Sequence, residues 1–120
     1  MATYLSLIRF TEQGAKNIQD TQKRASAFRE AAKKAGATVR EQFWTMGAYD
    51  GVLVLDAPDE QTATAVMAAL GALGNVRTQT MRAFDESEIG QVLGRSGGAA
   101  RSSGTSVAGG TSVGTSRSKR

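Results

Sequence analysis

The feature that most limits what this chain can fold into is the order in which strand-like and helix-like hydrophobic periods follow one another along residues 1–94. Alternation opens the chain: from Ala2 to Phe10, Tyr4, Ser6, Ile8 and Phe10 fall on one side, and Leu5, Leu7 and Arg9 on the other. Glu12-Gln13-Gly14 breaks that pattern. A short helical turn is expected over Gly14–Gln19, after which Asp20 or Thr21 caps a longer helix running to about Ala35. Ala25, Phe28, Ala31, Ala32 and Ala35 keep helical spacing, and Gly36 ends the helix. Thr38–Thr45 alternates again, with Val39, Glu41, Phe43 and Thr45 expected opposite Thr38, Arg40, Gln42 and Trp44. Met46-Gly47-Ala48 links it to Tyr49–Asp56, whose Gly51-Val52-Leu53-Val54-Leu55 run suits a strand buried on both faces, so the pair forms an antiparallel hairpin. Pro58, Asp59 and Glu60 open a second helix with Ala63, Val66, Met67, Leu70 and Leu73 on its apolar face, closed by Gly74-Asn75. Val76–Arg82 reads as a fourth strand, and Asp85–Leu93 as a short helix with Ile89, Val92 and Leu93 facing inward.

The order β-α-β-β-α-β is the split βαβ arrangement of an α+β ferredoxin-like sandwich, with both helices on one face of a four-stranded sheet. The other face is left bare. It would carry Tyr4 or Leu5 with Trp44 or Phe43, too much apolar surface for a solvated wall, so it is expected to pack on a second copy as a homodimer or higher oligomer. The core itself is small, because aromatic residues make up only 6% of a chain that is 40% apolar.

Charge divides the chain at the same boundary. Residues 1–94 hold ten Lys/Arg against eleven Asp/Glu, whereas residues 95–120 hold five basic residues and no acidic one. That segment is Gly, Ser, Thr and Ala with Gly-Thr-Ser at 104–106, 110–112 and 114–116, and it cannot offset the entropy of ordering itself. The expected organisation is one domain over 1–94 and a disordered basic tail over 95–120. The tail reads as a solubilising or tethering extension; contact with nucleic acid or another polyanion is the weaker reading, since its cations are sparse and no aromatic residue is present to stack on a base.

Cysteine and histidine are both absent. Disulfides, thiolate chemistry, Cys- or His-based metal sites and Ser-His-Asp or Cys-His nucleophile systems are therefore excluded for one subunit or for identical subunits. A metal site would need carboxylates alone; Asp85-Glu86-Ser87-Glu88 is the densest cluster and reads as an acidic helix start. No metal or cofactor is expected. Met1-Ala2-Thr3-Tyr4 has no basic region leading into an apolar run, and no stretch of about 18 consecutive apolar residues occurs, so a cytoplasmic protein without membrane contact is expected.

Phe10-Thr11-Glu12-Gln13-Gly14, Phe43-Trp44-Thr45-Met46-Gly47-Ala48-Tyr49-Asp50-Gly51, Gly74-Asn75-Val76-Arg77-Thr78 and Met81-Arg82-Ala83-Phe84 stand out within this frame. In order and spacing they resemble the GYD domain family, named for a Gly-Tyr-Asp segment, over residues 1 to about 94. Here Ala48 precedes Tyr49 where the name implies glycine, while Tyr49-Asp50-Gly51 is intact. The resemblance implies a ferredoxin-like fold of the dimeric α+β barrel type and brings no general activity with it.

Candidate ligand-binding residues are Arg9, Trp44, Tyr49, Asp50 and Arg77; no catalytic residue is assigned. Tyr49 and Asp50 at a strand entrance, with Trp44 nearby, could line a pocket in which Asp50 exchanges a proton. The plainer reading has Tyr49 packing and Asp50 satisfying backbone donors, and neighbours in a strand point to opposite faces unless a bulge intervenes. Arg9 could bind an anion or pair with Asp50 or Asp56. Gly74-Asn75 ahead of Arg77 lacks the Gly-rich helix entry of a phosphate cradle. Two function classes follow. The favoured one is a homo-oligomeric small-ligand-binding, regulatory or assembly module. The alternative is a cofactor-free oxygenase or isomerase of the dimeric α+β barrel class, which rests on fold analogy.

Overall fold

The computed structural model describes residues 1–102, in the order β1 (Ala2–Phe10), α1 (Glu12–Lys16), a 3-10 turn (Ile18–Asp20), α2 (Thr21–Lys34), β2 (Thr38–Trp44), β3 (Gly51–Ala57), α3 (Glu60–Ala72), β4 (Val76–Ala83) and α4 (Glu86–Ser102). They belong to two units, Met1–Ala83 and the segment from Phe84 onward.

In the first unit the sheet order is β2-β3-β1-β4 with every neighbouring pair antiparallel. The period of two in β1 decides which face is covered: Tyr4, Ser6 and Ile8 are buried, Leu5 and Leu7 half-buried, and Arg9 exposed. Tyr4 and Ile8 join Leu53 and Leu55 of β3, Phe28 and Ala32 of α2 and Val66 and Met67 of α3 in one core. Ser6 is fully buried, and its hydroxyl shares a 2.9 Å hydrogen bond with the Thr80 hydroxyl. Leu73, expected on the inner face of α3, is its C-cap residue, 65% exposed and at the wall of a cavity between helices and sheet.

The strand β2 departs from simple alternation. Val39 pairs with Leu55 and Glu41 with Val54, so Arg40 is an extra residue in a β-bulge. One inserted residue flips everything beyond it. Val39 therefore shares the helix-covered side with Gln42 and Trp44, whose partners are Leu53 and Gly51, while Phe43 opposes Val52 on the open side. Val39 and Phe43, expected on one face, lie on opposite ones.

Side-chain caps start α1 and α3, whereas Asp20, the expected cap of α2, sits at its N-cap without a side-chain capping hydrogen bond. The short α1, which begins earlier than the broken alternation suggests, is capped by Thr11, whose hydroxyl oxygen accepts from the Gly14 N–H at 3.1 Å. Asp59 caps α3 by accepting from the Thr62 N–H at 2.7 Å. Hydrogen bonds from the Thr62 backbone and then its side chain hold the Asp59 carboxyl below its ordinary value, so this contribution to stability is complete above the ordinary carboxylate range and is lost as pH falls through the lowered value. Past Leu73 the chain turns at Gly74, with φ +85, a conformation that favours glycine.

In the second unit Asp85 and Glu88 form a reciprocal capping box: Asp85 Oδ1 accepts from the Glu88 N–H at 2.7 Å and Glu88 Oε1 from the Asp85 N–H at 3.0 Å. Ile89, Val92 and Leu93, expected to face inward, are exposed at 37%, 45% and 59%. The helix continues to Ser102, past the expected boundary at residue 94 and through Ala99-Ala100-Arg101, which have good helix propensity. The remainder of the expected disordered tail, 103–120, lies outside the described residues. Among the described residues no helix is long and apolar enough to cross a membrane.

Candidate functional site

The five candidate residues divide between the two faces of the sheet. Trp44 and Asp50 lie on the side of the helices, and Arg9, Tyr49 and Arg77 on the open side. No single small ligand can touch all five. The division begins at the hairpin loop, where the Thr45 N–H donates to Asp50 O at 2.9 Å and the Thr45 hydroxyl to Tyr49 O at 2.6 Å. Gly47, with φ +107, makes the reversal. The loop leaves Tyr49 and Asp50 just outside β3, one pointing to each side, as the strand geometry of neighbours requires.

On the helix side a cavity of about 420 Å³ lies between α2, α3 and the sheet. Ile8, Phe28, Leu53, Val66 and Leu70 make it apolar, with polar groups from Thr21, Arg24, Gln42, Asp50 and Asn75 in its wall. Its size and lining suit a small apolar ligand oriented by a few polar contacts. Trp44 is fixed there by its indole N–H, which donates to Thr21 Oγ1 at 3.0 Å. Arg24 was not singled out by the sequence, since a single arginine on an amphipathic helix carries no signal of its own. Its guanidinium donates to the carbonyls of Asn17 at 2.7 Å and Gly14 at 3.4 Å, tying α2 back onto α1.

Asp50 is a structural acceptor. Its Oδ2 takes the Phe10 N–H at 2.8 Å, while its own N–H donates to Ile8 O at 2.8 Å, so it closes the end of the β1–β3 ladder. Asp50→Ala is expected to cost about 1–3 kcal/mol in chemical denaturation, because a part-buried N–H is left without its partner. Asp50→Asn, which keeps an acceptor oxygen, recovers most of that loss.

On the open side the register sets residues in rows across the strands. Phe43, Val52, Leu7 and Gln79 form one row, and Glu41, Val54, Leu5 and Met81 the next. The apolar field therefore contains Leu5 and Phe43, and the expected alternatives Tyr4 and Trp44 lie on the covered side. Phe43 is 55% and Met81 38% exposed. Beyond Leu7, Arg9 stands opposite Arg77. The Arg9 guanidinium sits 4.9 Å from the Tyr49 ring centroid, and the Tyr49 hydroxyl reaches across β1 to donate to Gln79 Oε1 at 3.1 Å. Arg9 meets neither of the carboxylates expected for it: Asp50 is on the other side, and Asp56 pairs with Arg40 at 3.5 Å and accepts from the Thr3 hydroxyl at 2.8 Å.

The sequence pattern of the GYD domain matches residues 4–93. A protein of Thermus thermophilus named glutamine synthetase and cystathionine beta-lyase binding protein is 29% identical over 90 residues, covering 74% of this chain and 95% of that relative. Among solved structures, FFRP-DM1 matches with a TM-score of 0.51 at 15% identity over 70% of this chain and 100% of its own, a likeness of fold alone. A further solved protein, also of Thermus thermophilus, gives a TM-score of 0.48 at 28% identity over 71% of this chain and 95% of its own.

Proposed function

This chain belongs to the GYD domain family, and from that premise we propose that it is a homo-oligomeric binding module with a regulatory or assembly role, in which the open sheet face takes a second copy. The observation that carries this reading is the apolar field of Leu5, Leu7, Val52, Val54, Phe43 and Met81 on the sheet face opposite α2 and α3. The name of the Thermus relative, a binding protein for two enzymes, supports protein partners beyond the second copy. The cavity between helices and sheet is on the other side of the sheet and stays available to a small apolar ligand when the open face is paired.

The mass of the full chain in solution tests the reading. Light scattering at micromolar concentration is expected to return a dimer or a multiple of it; a monomer across that range removes the proposal. The alternative of a cofactor-free oxygenase or isomerase draws on the same cavity and would give proton transfer to Asp50, whose Oδ2 is engaged with the Phe10 N–H. Binding or assembly makes no such demand on it.

A further inference from the structure

We propose that Arg9 and Arg77, held on the open face beside Tyr49 and Gln79, form a binding site for a small dianionic oxyanion, with a phosphate group as the ligand chemistry. The inference goes beyond the binding-module reading and needs no second copy.

Arg9 and Arg77 are direct cross-strand partners in β1 and β4, so their backbones are about 4.5–5.5 Å apart and both side chains leave the same face. Like charges placed directly opposite in an antiparallel pair are destabilising. The usual relief is an intervening carboxylate, and among the described residues neither arginine has an ion-pair partner. Glu41 and Asp56 are the acidic groups of this face, and they lie rows away toward the opposite corner, Asp56 already bonded to Arg40 and Thr3.

Arg9 is also oriented. Arg9 rests on the Tyr49 ring at 4.9 Å, and Tyr49 is pinned by its hydroxyl bond to Gln79, two residues from Arg77 on the same strand. An aromatic seat fixes the plane of the guanidinium and leaves its N–H groups to point outward. The result is a positive site with unused fork-shaped donors. A carboxylate carries one charge, whereas a phosphate monoester carries about −1.5 to −2 at pH 7 and offers three acceptor oxygens, which matches two guanidiniums. The row borders the apolar field at Leu7 and Gln79, so a ligand there sits at the edge of that field and away from Leu5 and Val54.

The experiment is a titration of the full chain with inorganic phosphate, followed by the side-chain N–H resonances of Arg9 and Arg77 in a nitrogen-15 spectrum, with chloride at matched ionic strength as control. Saturating shifts at both arginines with phosphate and none with chloride are expected. Arg9→Gln and Arg77→Gln should each weaken binding by about tenfold, since each removes charge-assisted bonds. Shifts that rise without saturation, or that chloride reproduces, overturn the site. So does unchanged affinity in the double variant. If Arg77→Gln instead lowers the mass of the chain in solution, the arginines hold carboxylates of a second copy, and the proposal fails while the binding-module reading stands.

Discussion

Gly14→Ala is expected to lower the melting temperature of this protein by roughly 15–30 °C, from a loss of about 3–5 kcal/mol. A Cβ built at Gly14 would sit 2.0 Å from the backbone oxygen of Asn75 and 2.9 Å from its carbonyl carbon, and backbone cannot swing aside as a side-chain tip can. That same oxygen accepts the Thr11 N–H at 3.1 Å, and the Thr11 hydroxyl donates to Gly74 O at 2.6 Å. Gln13 completes the lock, with Nε2 donating to Leu73 O at 3.2 Å and Asn75 Oδ1 at 3.0 Å. Making room for one methyl therefore means separating α1 from the Gly74-Asn75 turn, with loss of hydrogen bonds as well as strain. Gly71→Ala is the matched control. Nothing lies within 4 Å of a Cβ there, and replacing an unconstrained helical glycine should raise stability by about 0.5–1 kcal/mol. Thermal and chemical denaturation of the two variants should move in opposite directions.

That lock explains why two of the short stretches visible in the sequence belong together. Phe10-Thr11-Glu12-Gln13-Gly14 and Gly74-Asn75 are distant along the chain, and no periodicity links them; only the antiparallel pairing of Phe10 with Val76 brings them face to face. The element order was legible because period-two and period-3.6 patterns alternate cleanly, and because Gly36, Asp59 and Gly74 mark boundaries that physical chemistry favours at helix ends. The faces of β2 were not legible. A bulge at Arg40 has no signature in a run such as Thr38-Val39-Arg40-Glu41-Gln42, where polar residues fill both sides, so the pattern could not show that Val39 and Phe43 separate. The end of α4 was hidden for a different reason, since Gly- and Ser-rich composition reads as chain that cannot order itself, although the helix runs to Ser102.

The grouping of the candidate residues was not readable in the sequence. Sequence proximity joined Trp44, Tyr49 and Asp50, whereas the sheet brings Tyr49 to Arg9 and Gln79 and leaves Trp44 and Asp50 on the side of Thr21 and the cavity. The opposite pointing of Tyr49 and Asp50 does follow from strand geometry. What it cannot supply is register: that Arg9 meets Arg77 depends on how β1 aligns with β4, which a single sequence does not encode in any local pattern.

If the open face takes a second copy as proposed, Leu5→Lys is expected to leave a folded monomer at micromolar concentration. Leu5 lies in the middle of the open field, between Val54 of β3 and Met81 of β4, and it is only half-buried in the single chain. A lysine there can carry its ammonium out to water when the chain is alone, so circular dichroism should be unchanged. Against a second copy it cannot. A self-complementary interface contains each substitution twice, and two ammonium groups would have to be buried or driven apart at its centre. With a penalty of about 2–3 kcal/mol for each, the dissociation constant should rise by roughly a thousandfold to ten-thousandfold. Phe43→Lys, on the edge strand and already 55% exposed, provides a second variant with little risk to folding and the same expected direction. Light scattering of both reads the result. Monomers with native spectra assign the interface to this face; assemblies of undiminished mass place it elsewhere.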